Sequence, residues 1–194
     1  TGIIGIVVPD MENPFFSKLL KHMEIQLYKN GYKAMICNTI EISNREQDFI
    51  DMLRQNVMDG IITGAHSLQD YAYLNLNKPV VAMDRNLGPD IPIIHSDHKA
   101  GGRMAARLLL DAGCRNVLNF GGSFRVHTPS NDRHQEFNRV MEENGASVKT
   151  IEMAWNMMEY DYYCRIMEQY MDIYRDIDGV FTTDIGALYC LNIA

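Results

Sequence analysis

The sequence predicts an α/β protein built as two similar, doubly wound parallel-sheet subdomains. Three observations carry this prediction. Short apolar runs of strand length alternate with amphipathic stretches of helix length, the pattern of successive βα units. The connections between them are short and rich in cap and turn residues. The plan of apolar strand, loop and helix that opens at Gly2 starts again after Gly113, so the chain reads as an N-terminal subdomain, residues 1–113, and a C-terminal one, residues 114–194.

The elements follow in order. "GIIGIVV", Gly2 to Val8, is a buried strand. Asn13-Pro14 pairs a favoured N-cap with the residue best suited to the first helical position. The helix it opens carries Leu19, Leu20, Met23, Ile25 and Leu27, runs to about Asn30 and stops at Gly31. "YKAMIC" is the second strand. Ser43-Asn44-Arg45-Glu46 has the form of a capping box, before a helix with Phe49, Ile50, Met52, Leu53 and Val57. Asp59-Gly60 turns into a third strand, "IIT". Ser67 to Asp70 caps a short helix to about Leu76, Pro79 introduces "VVAM", and "IPIIH" is a short fifth strand. Ser96 or Asp97 starts a helix containing Met104, Leu108 and Leu109, which Gly113 closes.

The second half repeats the plan. "NVLNF" ends in Gly121-Gly122, a helix runs from about Asn131 to Asn144, and "VKTIEM" is a strand. A helix from about Tyr160 to Tyr174, the strand "GVFTT" and the helical start "DIGALYCLNI" complete the chain. The chain ends inside that last helix, which suggests a C-terminal subdomain that is incomplete.

Composition narrows the function. With 194 residues and 46% hydrophobic content, the chain can bury a substantial core. Its apolar runs are far shorter than a membrane span. The formal net charge is -7 and no Lys/Arg cluster exceeds a pair, so the chain by itself is not a nucleic-acid surface. Cys37, Cys114, Cys164 and Cys190 stand far apart among apolar or helical neighbours and read as free thiols in a reducing compartment. There is no dinucleotide fingerprint after the first strand, no P-loop and no nucleophile elbow, so neither a cofactor nor an enzyme is expected. His95, Asp97 and His98 have the residue types of metal ligands. Their placement at a strand end and a helix start argues against a shared ion, and no metal is expected.

Ligands of open parallel sheets bind beyond the carboxyl ends of the strands. The residues there are Asp10, Asn13, Phe15 and Phe16 after the first strand, Gly64, Ala65 and His66 after the third, and Asp84 and Arg85 after the fourth. Asp97 follows the fifth, Phe124 the first strand of the second half, and Thr183 and Asp184 the last strand, with Arg133 near a helix start at the same edge. Carboxylates and arginines bind hydroxyl groups by charge-assisted hydrogen bonds, and aromatic faces cover the C–H patches of a ring. A sugar, a related polyol or a nucleobase suits this set. Each residue alone also has a plainer reading, as a helix cap or a member of an ion pair. Phe15 and Phe16 are adjacent on a helix, about 100° apart, so at most one of them fits a core stripe. Phe16 is the first choice for stacking on a ligand and Phe15 the second.

"GIIGIVVPDMENPFF", "DGIITG", "KPVVAMDR", "HSDHKAGGRMAARLLLDAGCRNVLNFGG", "DRHQEF" and "GVFTTD", in that order, resemble the effector-binding domain of LacI/GalR-family transcription regulators. Type I periplasmic sugar-binding proteins share that fold. The resemblance implies an interlobe cleft that takes a small effector, most simply a sugar or sugar derivative. It implies a homodimer, in the cytoplasm, acting on operator DNA through a helix-turn-helix headpiece before Thr1, and a domain that continues beyond Ala194. The first helix near Lys18 to Tyr28 and the short helix near Gln69 to Asn75 resemble the dimerising surface, with Met11, Met23 and Tyr71 exposed on it.

Residue by residue, the resemblance places Asp10, Asn13, Phe15 and Phe16 in the first ligand loop, and Asp84 and Arg85 in the "DR" pair. Asp97 matches the acid of "DNxxGG", with His98 in place of Asn. Arg133 matches the arginine of "RxxGF" that grips effector hydroxyls or carboxylate, with Glu136 in place of Gly. Asp184 matches the acid of "ND", with Thr183 in place of Asn. The alternative is a periplasmic sugar-binding protein of a transport system. The sequence before Thr1 separates the two: a helix-turn-helix marks the regulator, a signal peptide the receptor.

Overall fold

The structure is a computed structural model that describes residues 1–39, 44–65, 72–73, 76–121, 128–154, 157 and 159–193. The short helix expected before Leu76 falls largely outside these residues, and the loop holding Phe124 falls wholly outside them. The elements run β1 (Ile3–Val8), α1 (Pro14–Lys29), β2 (Lys33–Asn38), α2 (Arg45–Arg54), β3 (Gly60–Thr63), β4 (Val80–Met83), β5 (Ile93–Ile94), α3 (His98–Asp111) and β6 (Asn116–Gly121). A 3-10 turn at Pro129–Asn131 leads into α4 (Asp132–Glu143), followed by β7 (Ser147–Glu152), α5 (Tyr160–Ile173), β8 (Gly179–Phe181) and α6 (Asp184–Ile193).

The chain divides into two compact units, Thr1–His95 and Ser96–Ala194. The first holds a five-stranded sheet in the order β2-β1-β3-β4-β5 and the second a three-stranded sheet in the order β7-β6-β8, every pairing parallel. Both units share one plan: the second strand lies on one side of the first and the third on the other. The chain therefore leaves β1 in opposite directions on successive crossovers. In open parallel sheets such a reversal of strand order marks the carboxyl-edge position at which ligands bind. The same reversal occurs between β6 and β8.

The central strands β1 and β6 are buried on both faces over most of their length, which is why they read as continuous apolar runs. In β1, Val7 packs with Ile50 and Leu53 of α2 and with Met58 and Ile61, while Ile6 and Val8 face Leu20 of α1 on the opposite side. In β6, Val117 joins Ala106, Phe137, Val140 and Met141 of α3 and α4, and Leu118 and Phe120 turn to Tyr163, Met167 and Tyr189 of α5 and α6.

The division between the units falls one helix earlier than the boundary expected near Gly113. The cause is the packing of α3. A Cβ added at Gly102 would lie 2.2 Å from the carbonyl oxygen of Arg133, so α3 and α4 meet at a distance only glycine permits. Arg103 Nη1 donates to Glu136 Oε1 at 3.0 Å across the same seam, and Arg139 Nη2 reaches that oxygen at 2.8 Å. These arginines, Arg139 first, hold the Glu136 carboxyl down at about 2. Glu136 is thus an ion-pair bridge between helices, which accounts for an acid where the family pattern has glycine. At the far end of α3, Gly113 sits at φ +88° and the amide of Cys114 turns back to the carbonyl of Leu109 at 2.9 Å, closing the helix.

Glu46 is the last residue of the capping box expected at the start of α2. Its carboxylate points into the interior and accepts from Arg85, for reasons given below. Asn44 occupies the cap position without a side-chain cap bond, and Ser43 lies outside the described residues. Cys37 and Cys114 are buried and Cys164 and Cys190 partly so, all four as free thiols. Burial pushes the Cys37 thiol up to about 11, so it stays protonated and unreactive. No helix among the described residues is long and apolar enough to cross a membrane.

Candidate functional site

The loop after β1 is folded by its own side chains. Asp10 Oδ1 accepts the amide of Glu12 at 2.9 Å, and Asn13 Oδ1 caps α1 by accepting the amide of Phe15 at 2.9 Å. Asn13 is buried, so its role is to fix where the helix starts. That start then separates the two phenylalanines. Phe16 packs toward Ile6, Val8 and Leu20, whereas Phe15 is 51% exposed and meets Phe16 edge to face, with ring centroids 5.1 Å apart. Phe15 is therefore the more exposed ring of the pair and Phe16 the partly covered one.

Asp84 and Arg85 also part ways. Asp84 sits at φ +50°, a left-handed conformation that costs an L-residue about 1 kcal/mol or more. Its amide donates to the carbonyl of Ile94 at 3.0 Å. Arg85, in contrast, is only 3% exposed. Its Nη1 donates to Glu46 Oε1 at 2.8 Å and to the carbonyl of Ala65 at 2.5 Å. The guanidinium carbon lies 5.2 Å from the centre of the Tyr73 ring. Tyr73 Oη donates to the same Glu46 oxygen and lies 3.2 Å from Thr63 Oγ1. Burial, then the Glu46 carboxylate, pushes the Tyr73 phenol well above its usual range, so it stays a donor. Arg85 belongs to this buried network.

In the second unit, Asp97 caps α3, its Oδ1 accepting the amide of Ala100 at 2.9 Å. Arg133 lies in the first turn of α4, and its Nε is tied to the carbonyl of Ser130 at 2.9 Å, which orients the guanidinium plane. Thr183 Oγ1 donates to Tyr163 Oη at 3.3 Å, and the exposed Asp184 accepts the amide of Ile185 at 2.9 Å in the first turn of α6. Among the described residues, no group of three His, Cys, Asp or Glu side chains is placed to hold a metal ion, and His95, Asp97 and His98 form no such group.

A second polar network was not legible as one in the sequence. Asn119, on the inward face of β6, accepts from His134 Nδ1 at 2.7 Å and donates to Asn138 Oδ1 at 2.7 Å. Asn138 passes the chain to Thr150 of β7 at 2.8 Å. The signal for it is Asn119, the polar residue that interrupts the apolar run within "NVLNF". Because Asn119 uses its amide nitrogen toward Asn138, its oxygen must accept, and His134 carries its proton on Nδ1. The His134 ring is buried, 5.1 Å from that of Phe181. Burial first, then the charges of Arg133 and His98, lowers its pKa to about 3.

A histidine held neutral in the fold destabilises the native state once the unfolded chain takes up its proton. The folded pKa lies below the unfolded value near 6.5, so stability is intact above that pH. It falls by up to about 1.4 kcal/mol per pH unit below it, levelling near the folded value. Urea unfolding at pH 7 and pH 5 is expected to differ by about 2 kcal/mol from this group. His134→Asn, whose side-chain amide can replace the Nδ1 donor, should remove most of that difference. An unchanged difference in the variant would refute the assignment.

A family described as periplasmic binding proteins and sugar binding domain of LacI family matches residues 1–183. The chain is 41% identical over 138 residues to the sucrose operon repressor of Streptococcus mutans, covering 71% of this chain and 43% of that protein. It is 33% identical over 195 residues to the ribose operon repressor of Halalkalibacterium halodurans, covering 100% of this chain and 58% of that one. The chain thus spans about half the length of the curated relatives it matches. Among solved structures, a periplasmic binding protein/LacI transcriptional regulator from Alkaliphilus metalliredigens, complexed with D-xylulofuranose, matches with a TM-score of 0.86 at 27% identity. That match covers 99% of this chain and 71% of the other. A matched family over residues 1–183, with the repeated strand order around each switch point, means that the chain belongs to the family of periplasmic binding proteins and LacI-family sugar-binding domains.

Proposed function

We propose that the chain is the effector-sensing part of a sugar-responsive transcription regulator. The observation that carries this reading is the family match combined with relatives that are operon repressors for sucrose and ribose. In this reading Asp10, Phe15 and Asp84 of the first unit, and Asp97, Arg133, Thr183 and Asp184 of the second, contact the effector. Phe124 joins them on the resemblance alone. Asn13, Phe16 and Arg85, set deeper in the first unit, complete that side of the site. The ligand is a pentose or a small glycoside, whose hydroxyl groups suit carboxylates and arginine and whose C–H face suits Phe15.

The whole protein is a cytoplasmic homodimer that binds operator DNA through a headpiece and takes up no cofactor. Effector binding shifts the population between two arrangements, and DNA affinity changes reciprocally with effector affinity. The transport-receptor alternative has the same fold, and the repressor relatives favour the regulator over it. Calorimetry of the full-length protein with D-ribose, D-xylulose, sucrose, nucleobases and inorganic phosphate tests the reading. One of the sugars is expected to bind, and binding of only a nucleobase or phosphate would overturn the sugar assignment. Arg133→Ala should weaken the sugar that binds by more than tenfold, since a hydrogen bond to a charged group contributes about 1.5–3 kcal/mol. Unchanged affinity would remove Arg133 from the site.

A further inference from the structure

We propose that Asn119, His134 and Asn138 pin the first turn of α4 to one rung of the second unit's sheet, and so set where Arg133 presents its guanidinium. The proposal rests on the reading of Arg133 as an effector contact. Asn119 lies on the central strand β6, and its partners in register are Thr150 of β7 and Phe181 of β8. Two residues of α4, one turn apart, stand over this rung. The His134 ring is 5.1 Å from that of Phe181, and Asn138 Nδ2 donates to Thr150 Oγ1 at 2.8 Å. Asn119 lies between them and joins both. Its amide nitrogen donates to Asn138 Oδ1 at 2.7 Å and to the carbonyl of His134 at 3.3 Å, and its oxygen accepts from His134 Nδ1 at 2.7 Å. Both amide hydrogens and the oxygen of a fully buried asparagine are thus engaged.

Apolar side chains could fill the same space. Their contacts are non-directional, so they would let α4 slide or turn a little on the sheet. The amide does not allow this. Any other placement of the helix leaves Asn119 with unmet groups in the core, where each carries its full desolvation penalty. Residue 134 is gripped at both its ring and its carbonyl, and Arg133 is the residue before it. On the other side, the carbonyl of Arg133 faces Gly102 of α3 so closely that a Cβ there would lie 2.2 Å from its oxygen. Arg133 Nε is held by the carbonyl of Ser130 at 2.9 Å. The arginine is therefore ordered before a ligand arrives, which spares binding the cost of ordering it. Asn119, His134 and Asn138 act through Arg133 and are positioning residues.

The test replaces the pin by apolar side chains in the full-length protein, with Asn119→Leu, His134→Leu, Asn138→Leu and Thr150→Val combined. Removing all partners together leaves nothing unpaired, so the unfolding temperature is expected to stay within a few degrees of the unsubstituted protein. Amide exchange in a peptide covering residues 134–139 should accelerate at least tenfold, because the first turn of α4 opens more readily. Exchange in the α5 and α6 peptides should stay unchanged. Affinity for whichever of D-ribose, D-xylulose and sucrose binds the unsubstituted protein should fall at least tenfold. Adding Arg133→Ala to this variant should then weaken binding less than threefold further, against more than tenfold in the unsubstituted protein. A purely structural role would leave the effect of Arg133→Ala intact. A folded variant with unaltered exchange at 134–139, with acceleration spread evenly over the unit, or with the full effect of Arg133→Ala overturns the proposal. If the combined variant does not fold, His134→Leu, which loses the donor, is compared with His134→Asn, which keeps one. The first should accelerate exchange at 134–139 and the second should not, and equal exchange in the two overturns the proposal. The exchange measurement needs no ligand, so failure of every sugar to bind overturns the effector reading while exchange still decides the pin.

Discussion

Arg85→Ala is expected to lower the free energy of unfolding by about 3–5 kcal/mol, because it strands the Glu46 carboxylate inside the first unit without its cation. The side chains are 4% and 0% exposed, so water cannot replace the lost partner without opening the packing of α2 against the sheet. Tyr73 Oη remains as a donor to Glu46 and moderates the loss. Domains of this size are stable by only about 5–15 kcal/mol, so the change approaches the point at which the unit unfolds. Urea denaturation of the full-length protein, followed by far-ultraviolet circular dichroism, measures it. A loss under about 1 kcal/mol would mean that the pair is exchanged for solvent at no cost, and the burial argument would fail. Replacing both residues at once, Glu46→Leu with Arg85→Met, is expected to be close to neutral, because no uncompensated charge is left buried.

Phe137→Ala is expected to cost a similar amount, about 3–5 kcal/mol, by a different mechanism. The ring is fully buried on α4 and stacks on Phe181 of β8 with centroids 4.2 Å apart and planes 18° from parallel. Around it stand Ala106 of α3, Val117 of β6, and Val140 and Met141 of its own helix. Truncation leaves a cavity where two helices and two strands converge. The glycine contact at Gly102 already brings α3 and α4 as close as they can come, so that side cannot collapse to fill it. Phe137→Leu, which retains most of the volume, should lose no more than about 1–2 kcal/mol. Equal losses in the two variants would show that ring stacking, not volume, dominates. A negligible loss in both would show that the seam is looser than the geometry indicates.

Much of the architecture was legible because its signals are local. Asn13-Pro14, Asp97 and Gly113 act within a turn of themselves, and each does in the structure what its residue type predicts. The apolar runs identified the strands, and the restart after Gly113 announced the second unit. The boundary itself was not legible. Which unit owns α3 depends on a glycine on α3 meeting a carbonyl on α4 about thirty residues later, a contact that no periodicity reports.

The candidate site divides along the same line. Residue types and strand ends were enough to single out Asp10, Phe15, Asp84, Asp97, Arg133 and Asp184 as edge residues. Sequence alone could not separate Phe15 from Phe16, because both lie in the first turn of one helix and only the position of the β1 face decides which ring is covered. Nor could it see that Glu46 and Arg85 are buried partners. Their partnership spans 39 positions and exists only once α2 and the strand ends are in place. The sequence by itself determined the order of elements, their caps and the chemistry gathered at one edge, since those depend on interactions within a few residues. The tertiary structure alone decided which polar side chains face outward and which are drawn inside to hold them, because burying a charge is tolerable only where a distant partner meets it.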